Sequence, residues 1–362
     1  MSVSEQVINF NYGDKAEGSP AEKKIVSPGD EKKAPSRNER VKAMMIAMIR
    51  GSDPFMVMCG ILFAGAVTLC GVNIGYISAS GLSRLAIGMA NFLTFAAIFT
   101  ASVSLREFQR KKLRQKHQLM EANSIAEVGW QPLGKRVFVS CFIFLAAVAF
   151  FAAGVDMSNL SDDDVQNCIF AEMAILQATL LLMFMEHNRA DAENDEKNLP
   201  ISAVENEKSL NIKALLRDTV HGSEAFFCVN IISCIITVVL CGININGLSS
   251  GGDRTMAACV YAFTVYAVAV LSIFIRDYER EMLKDVCEEV KDPDYTSHYY
   301  RITLAGIGLA AAIVLFINYI LAIDATGHSL NSFFSESFLM ITTSMMMYVL
   351  HNRFDSVLLK KY

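Results

Sequence analysis

The chain has 362 residues, of which 53% are hydrophobic and only 19% charged, and its mean hydropathy is +0.35. That balance excludes an ordinary soluble domain of this length, which carries more charge. The formal net charge is −5 and no basic, aromatic-rich patch occurs, which argues against nucleic acid as a partner.

Residues 1–38 are polar and rich in Lys, Glu, Ser, Pro and Gly. Such a stretch buries too little apolar surface to fold, so a disordered arm is expected there. It has no cleavable signal pattern, and the first apolar segment is expected to serve as an uncleaved insertion signal.

A first unit follows over residues 39–190. It opens with the basic, apolar stretch Arg40 to Arg50, then Gly51-Ser52-Asp53-Pro54. Ser52 and Asp53 suit a helix start, and Pro54 suits a first turn. Gly51 separates the two pieces, so the stretch is expected to lie in the headgroup interface. Four apolar segments come next, at 54–77, 83–105, 136–156 and 165–186. An acidic linker, expected to be extended, covers 191–210. A second unit over 211–362 opens with Lys213 to His221 and Gly222-Ser223-Glu224, and its apolar segments are 224–247, 254–275, 301–323 and 331–350. Each segment approaches the roughly 20 residues a helix needs to cross a bilayer.

Apart from Arg84 and Arg254, the Lys and Arg residues fall in the N-terminal arm, the even-numbered connections and the C-terminal tail. The positive-inside rule then places both termini on the cytoplasmic or equivalent side. Which membrane is crossed stays open.

The two units resemble each other. With an offset of 171, Lys42 meets Lys213, Gly51-Ser52 meets Gly222-Ser223, Cys70-Gly71 meets Cys241-Gly242, and Asn73-Ile74 meets Asn244-Ile245. With an offset of 170, Arg84 meets Arg254, Thr94 meets Thr264, and Leu105-Arg106-Glu107-Phe108 meets Ile275-Arg276-Asp277-Tyr278. His187-Asn188-Arg189 matches His351-Asn352-Arg353, and in that register Glu172 meets Glu336. Each unit has an even number of spans, so both insert the same way up. The expected fold is all-α: eight transmembrane helices as two tandem parallel four-helix repeats. A pseudo-twofold axis along the membrane normal relates them.

Polar groups inside spans are the functional candidates. Glu172 and Glu336 lie within the fourth and eighth segments. A carboxylate there is costly unless paired or wetted, and such groups serve as proton carriers or cation ligands; holding loops at a wetted interface is the alternative. Asn73, Asn244, Asp156 and Asp324 sit at the outer ends of odd helices. Converging, they would form a ring that attracts cations; otherwise they end helices. Arg84 and Arg254 begin the second and sixth helices outside. They are expected to form structural ion pairs or to snorkel, or else to draw an anion to an outer vestibule. Asn91, Gln177, Asn230 and Asn318 read as links between neighbouring helices, and the small-residue runs 146–154 and 305–312 as packing faces.

The nine cysteines show no CxxC or zinc-ligand spacing and read as packing residues. No metal site, cofactor motif or catalytic constellation stands out, so an enzyme is not expected. The leading expectation is a channel or transporter for a small ion, most simply a cation, with the path between the halves or within a homo-oligomer. The alternatives are a non-transporting scaffold or accessory subunit of a larger membrane complex, and a carrier of a lipid or small amphiphile. Membrane lipids are partners in every case.

Overall fold

The computed structural model describes residues 35–77, 80–119, 130–157, 160–198, 206–248, 250–288, 295–323 and 329–362. The expected N-terminal arm, up to residue 34, and Asp324 lie outside these. Among the described residues the regular elements are all helical: α1 (Arg37–Arg50), α2 (Asp53–Tyr76), α3 (Gly81–Lys116), α4 (Trp130–Asp156), α5 (Asp162–Asn198), α6 (Asn206–His221), α7 (Glu224–Gly247), α8 (Gly251–Glu288), α9 (Thr296–Ile323) and α10 (Ser329–Leu358). A 3₁₀ turn, Leu359–Lys361, follows.

Among the described residues, eight helices are long and apolar enough to cross a membrane: α2, α3, α4, α5, α7, α8, α9 and α10. The multi-pass helical character read from composition therefore holds. The spans differ in burial. α5 and α10 are mostly buried, whereas few residues of α2, α4, α7 and α9 are. In lipid no hydrophobic drive hides such faces, so they suit contact with acyl chains.

α5 and α10 pack on each other at the centre. α2 and α3 pack on α5, and α7 and α8 on α10; α4 lies on α3, and α9 on α8. Gly154 explains part of the α3–α4 approach. A Cβ there would stand 2.7 Å from the Ile87 side chain and 3.2 Å from the Ser83 carbonyl oxygen. In the run 305–312, Ala305 and Ala312 are buried, while Gly306 and Gly308 face open space.

The helix starts behave as their residues dictate. Ser52 Oγ accepts from the Phe55 amide at 3.2 Å, and Ser223 Oγ from the Phe226 amide at 3.4 Å. Gly51 and Gly222 have φ of +77° and +81°, left-handed values that glycine adopts freely. They turn the chain sharply between α1 and α2, and between α6 and α7.

Two expectations need correction. The apolar face of α1 is not left for the headgroups: Val41, Met44, Met45, Met48 and Ile49 are buried, clustered with Ile212, Leu216 and Val220 of α6 and Leu359. Protein covers this face because α1 and α6 pack against each other and against α5, α8 and α10. Nor is the acidic connection extended throughout. α5 continues to Asn198 and α6 begins at Asn206. The continuation of α5 carries Asp191 and Asp195 to the arginines of α3, which compensates for holding these acids in a helix.

Candidate functional site

Glu172 and Glu336 each lie opposite a threonine of the neighbouring helix. Thr94 of α3 donates its hydroxyl to Glu172 Oε1, and Thr264 of α8 donates to Glu336 Oε1. In both carboxylates Oε2 is buried and has no partner. The same two residue types thus meet in the same way at the registers matched in sequence. Among the described residues no hydrogen bond or ion pair joins Glu172 to Glu336. Between α5 and α10 lies an apolar cluster that includes Ala174, Ala178, Leu181 and Met185 facing Ile341, Met345, Tyr348 and Val349. The Thr–Glu pairs therefore lie inside each half, along α3–α5 and along α8–α10, while one buried bond, from Asn188 Nδ2 to Tyr348 Oη at 3.0 Å, crosses from α5 to α10.

Further along each seam, towards the basic ends of the helices, the pairing repeats. Ser102 Oγ and His187 Nε2 are 3.2 Å apart, and Ser272 Oγ and His351 Nε2 are 2.8 Å apart. Beyond them, Arg106 and Arg110 both pair with Asp191, and Arg276 and Arg280 both pair with Asp355. Arg189 pairs with Asp53 at 2.6 Å, and Arg353 with Glu224 at 2.9 Å, tying each long central helix to the start of α2 or α7. On α5, Glu172 and His187 are separated by about 22 Å at 1.5 Å per residue. The α5 residues between them are mainly apolar, including Leu181, Met183 and Phe184.

The other sequence candidates fall into separate places. Asn73 and Asn244 are buried within their own halves. Asn73 Nδ2 donates to Cys168 Sγ at 3.3 Å; Asn244 Nδ2 donates to Tyr261 Oη at 2.8 Å and Ser332 Oγ at 3.2 Å. Beside them, Cys70 Sγ donates to the Ala171 carbonyl at 3.3 Å, and Cys241 Sγ lies 3.9 Å from the Ser335 carbonyl. Asp156 is exposed at the end of α4. Arg84 Nη2 donates to the Ile77 carbonyl at 2.9 Å, and Arg254 Nε to the Leu248 carbonyl at 2.8 Å. Both arginines thus close the free carbonyl ends of α2 and α7, where a cation complements the helix dipole. Asn91 of α3 and Gln177 of α5 are buried with no partner for either side-chain polar atom, which leaves polar capacity for water or a cation.

The arginine–aspartate pairs were not singled out in the sequence as site residues. Their signal was present in the matched Leu105-Arg106-Glu107-Phe108 and Ile275-Arg276-Asp277-Tyr278, but Asp191 read as linker. Among the described residues no cluster of His, Cys, Asp and Glu has the makings of a metal centre. No protein-family model, curated protein or solved structure matches this chain.

Proposed function

We propose that this chain is a transporter or channel for a small cation, with a Thr–Glu binding site inside each of two parallel tandem halves. The observation that carries the reading is the pair of seams. Thr94–Glu172 and Thr264–Glu336 stand at matched registers, each with a buried carboxylate oxygen that lacks a partner. An intramembrane carboxylate is costly and is characteristic of ion paths and proton relays. Two are kept here, each held in place by a hydroxyl.

The parallel arrangement is supported by contacts that cross between the halves in matched pairs. Phe55 stacks on Tyr348 with centroids 4.6 Å apart, and Phe184 on Phe226 at 4.1 Å. The basic connections lie on the cytoplasmic or equivalent side, with both termini. The apolar stretch between each glutamate and its histidine bars free passage at rest, which favours a gated or alternating path over an open pore. Catalysis forms no part of this reading, and neither does a cofactor. Self-association through the exposed helix faces is compatible with it.

The test is reconstitution of the purified chain in liposomes, with fluxes of H⁺, Na⁺, K⁺ and Ca²⁺ recorded for the wild type and for Glu172→Gln combined with Glu336→Gln. Selective flux that the double variant abolishes or changes in pH dependence is expected. Absence of flux from folded, inserted protein would instead make it a scaffold or accessory subunit.

A further inference from the structure

Beside the basic ends of α3 and α5, a cavity of about 350 Å³ opens, closed on one side by Leu215 and Thr219 of α6. Its size falls in the range of small-ligand sites. Four cations line it, Arg106, Arg110, Lys111 and Arg114, against three carboxylates, Glu107, Asp191 and Asp195. Arg136 also pairs with Glu107, so positive charge is in excess here. The Arg106 side chain is 5% exposed, yet its buried Nε has no acceptor. A buried guanidinium N–H without a partner is costly unless something fills the place.

The second half does not repeat this chemistry. With the same offsets, Gln109 corresponds to Glu279, Lys111 to Glu281 and Asp195 to Leu359. Arg106 Nη1 donates to neutral Gln109, whereas Arg276 Nη1 donates to the carboxylate of Glu279 at 3.0 Å. Asp355 accepts from Arg276 Nε at 2.8 Å and Arg280 Nε at 2.5 Å, and Leu359 fills an apolar cluster with Met44 and Met45. In the second half Asp355 and Glu279 serve every donor group of Arg276, while Arg280 Nη2 is buried without a partner. At these three places the first half has Gln109, Lys111 and Asp195 where the second has Glu279, Glu281 and Leu359, a net of one acid fewer and one cation more.

We propose that the cavity beside α3 and α5 binds a phosphate-bearing anion, held by Arg106, Arg110, Lys111 and Arg114. Arginine forks match phosphate oxygens in pairs, and a neighbouring lysine adds a point charge. The same chemistry is offered by the headgroup of a phosphorylated lipid and by a soluble polyphosphate. This site is distinct from the Thr–Glu seams, and it is read by binding, so it stands or falls separately from ion flux.

The experiment has two arms on the full-length chain. In detergent without phosphate buffer, inorganic pyrophosphate is titrated by calorimetry. In nanodiscs of phosphatidylcholine with or without phosphatidylinositol 4-phosphate, the shift in melting temperature is measured. Lys111→Glu with Arg114→Gln is the test variant, because both side chains are over a third exposed, at 38% and 36%, and tolerate change. Lys284→Glu, at the place in the second half matching Arg114, is the control. Affinity, or the lipid-induced shift, is expected to fall at least about tenfold in the test variant, as loss of a charge-assisted bond implies, and to stay unchanged in the control. Response in the lipid arm alone assigns a membrane headgroup; response in the pyrophosphate arm alone assigns a soluble anion; response in both assigns the phosphate group itself. No response in either arm, or equal responses from test and control variants with unchanged melting, overturns the proposal.

Discussion

The rings of Phe184 and Tyr348 meet edge to face, with centroids 5.5 Å apart and planes at 83°. The two residues occupy matched places on α5 and α10, and each also stacks on a phenylalanine from the other half. Contact between positions matched in sequence is what the proposed parallel arrangement of the halves requires near its axis. Phe184→Ala and Tyr348→Ala should each destabilise the protein by about 3 kcal/mol, the cost of truncating a buried aromatic. The double variant should lose about 1 kcal/mol less than the sum of the singles, reflecting the ring–ring coupling. Denaturant-dependent unfolding in detergent measures all three; strict additivity would mean the rings do not couple.

The seams lie inside the halves, so they should act independently. Glu172→Gln alone should leave about half the cation flux, as should Glu336→Gln alone, while the double variant loses it, following additivity of distant sites. Thr94→Val should weaken flux in the same sense as Glu172→Gln, because the hydroxyl fixes the carboxylate. If either single variant silenced the protein completely, a shared path through both carboxylates would replace the two-seam reading. Liposome flux at matched protein density decides.

Asp355 and Asp191 occupy matched places but differ in what depends on them. Asp355 is fully buried and serves Arg276 and Arg280, both nearly buried. Asp355→Ala should cost about 3–5 kcal/mol by stranding buried charge. Asp191→Ala should cost less, because Arg110 is a third exposed and retains its bond to the His187 carbonyl at 3.2 Å. Melting temperatures of the two variants should rank in that order.

Gly51 and Gly222 share a left-handed backbone but not surroundings. A Cβ on Gly51 would stand 2.7 Å from the Tyr348 hydroxyl, whereas one on Gly222 would meet only Phe184, at 3.8 Å. Alanine at either place should cost about 1–2 kcal/mol in backbone strain. Gly51→Ala should cost more, because it also displaces the Tyr348 ring. Thermal unfolding of the two variants, side by side, tests the difference.

Much was legible in the sequence because the bilayer imposes length and apolarity one segment at a time. A helix that must satisfy its own backbone in hydrocarbon is visible without knowledge of its neighbours. The helix starts at Ser52 and Ser223 were equally readable, since a cap is a local hydrogen bond. Glu172 and Glu336 stood out as candidates because charge inside an apolar run is costly whatever surrounds it. Other features depend on which helix lies beside which. Asp191 read as part of a solvated acidic linker until α5 carried it to Arg106 and Arg110. The apolar residues of α1 suited either lipid or protein, and only the packing of α1 on α6 and α8 chose protein. Residue identity alone pointed to eight helices long and apolar enough to cross a membrane, to where their polar residues fall, and to the registers in which the two units resemble each other. The tertiary structure decided that each glutamate faces a threonine of its own half, that an apolar cluster crossed by the Asn188–Tyr348 bond lies between α5 and α10, and that the arginines lining the basic cavity come from α3. Those are properties of pairs of helices, and the energy of a pair is written in neither sequence segment alone.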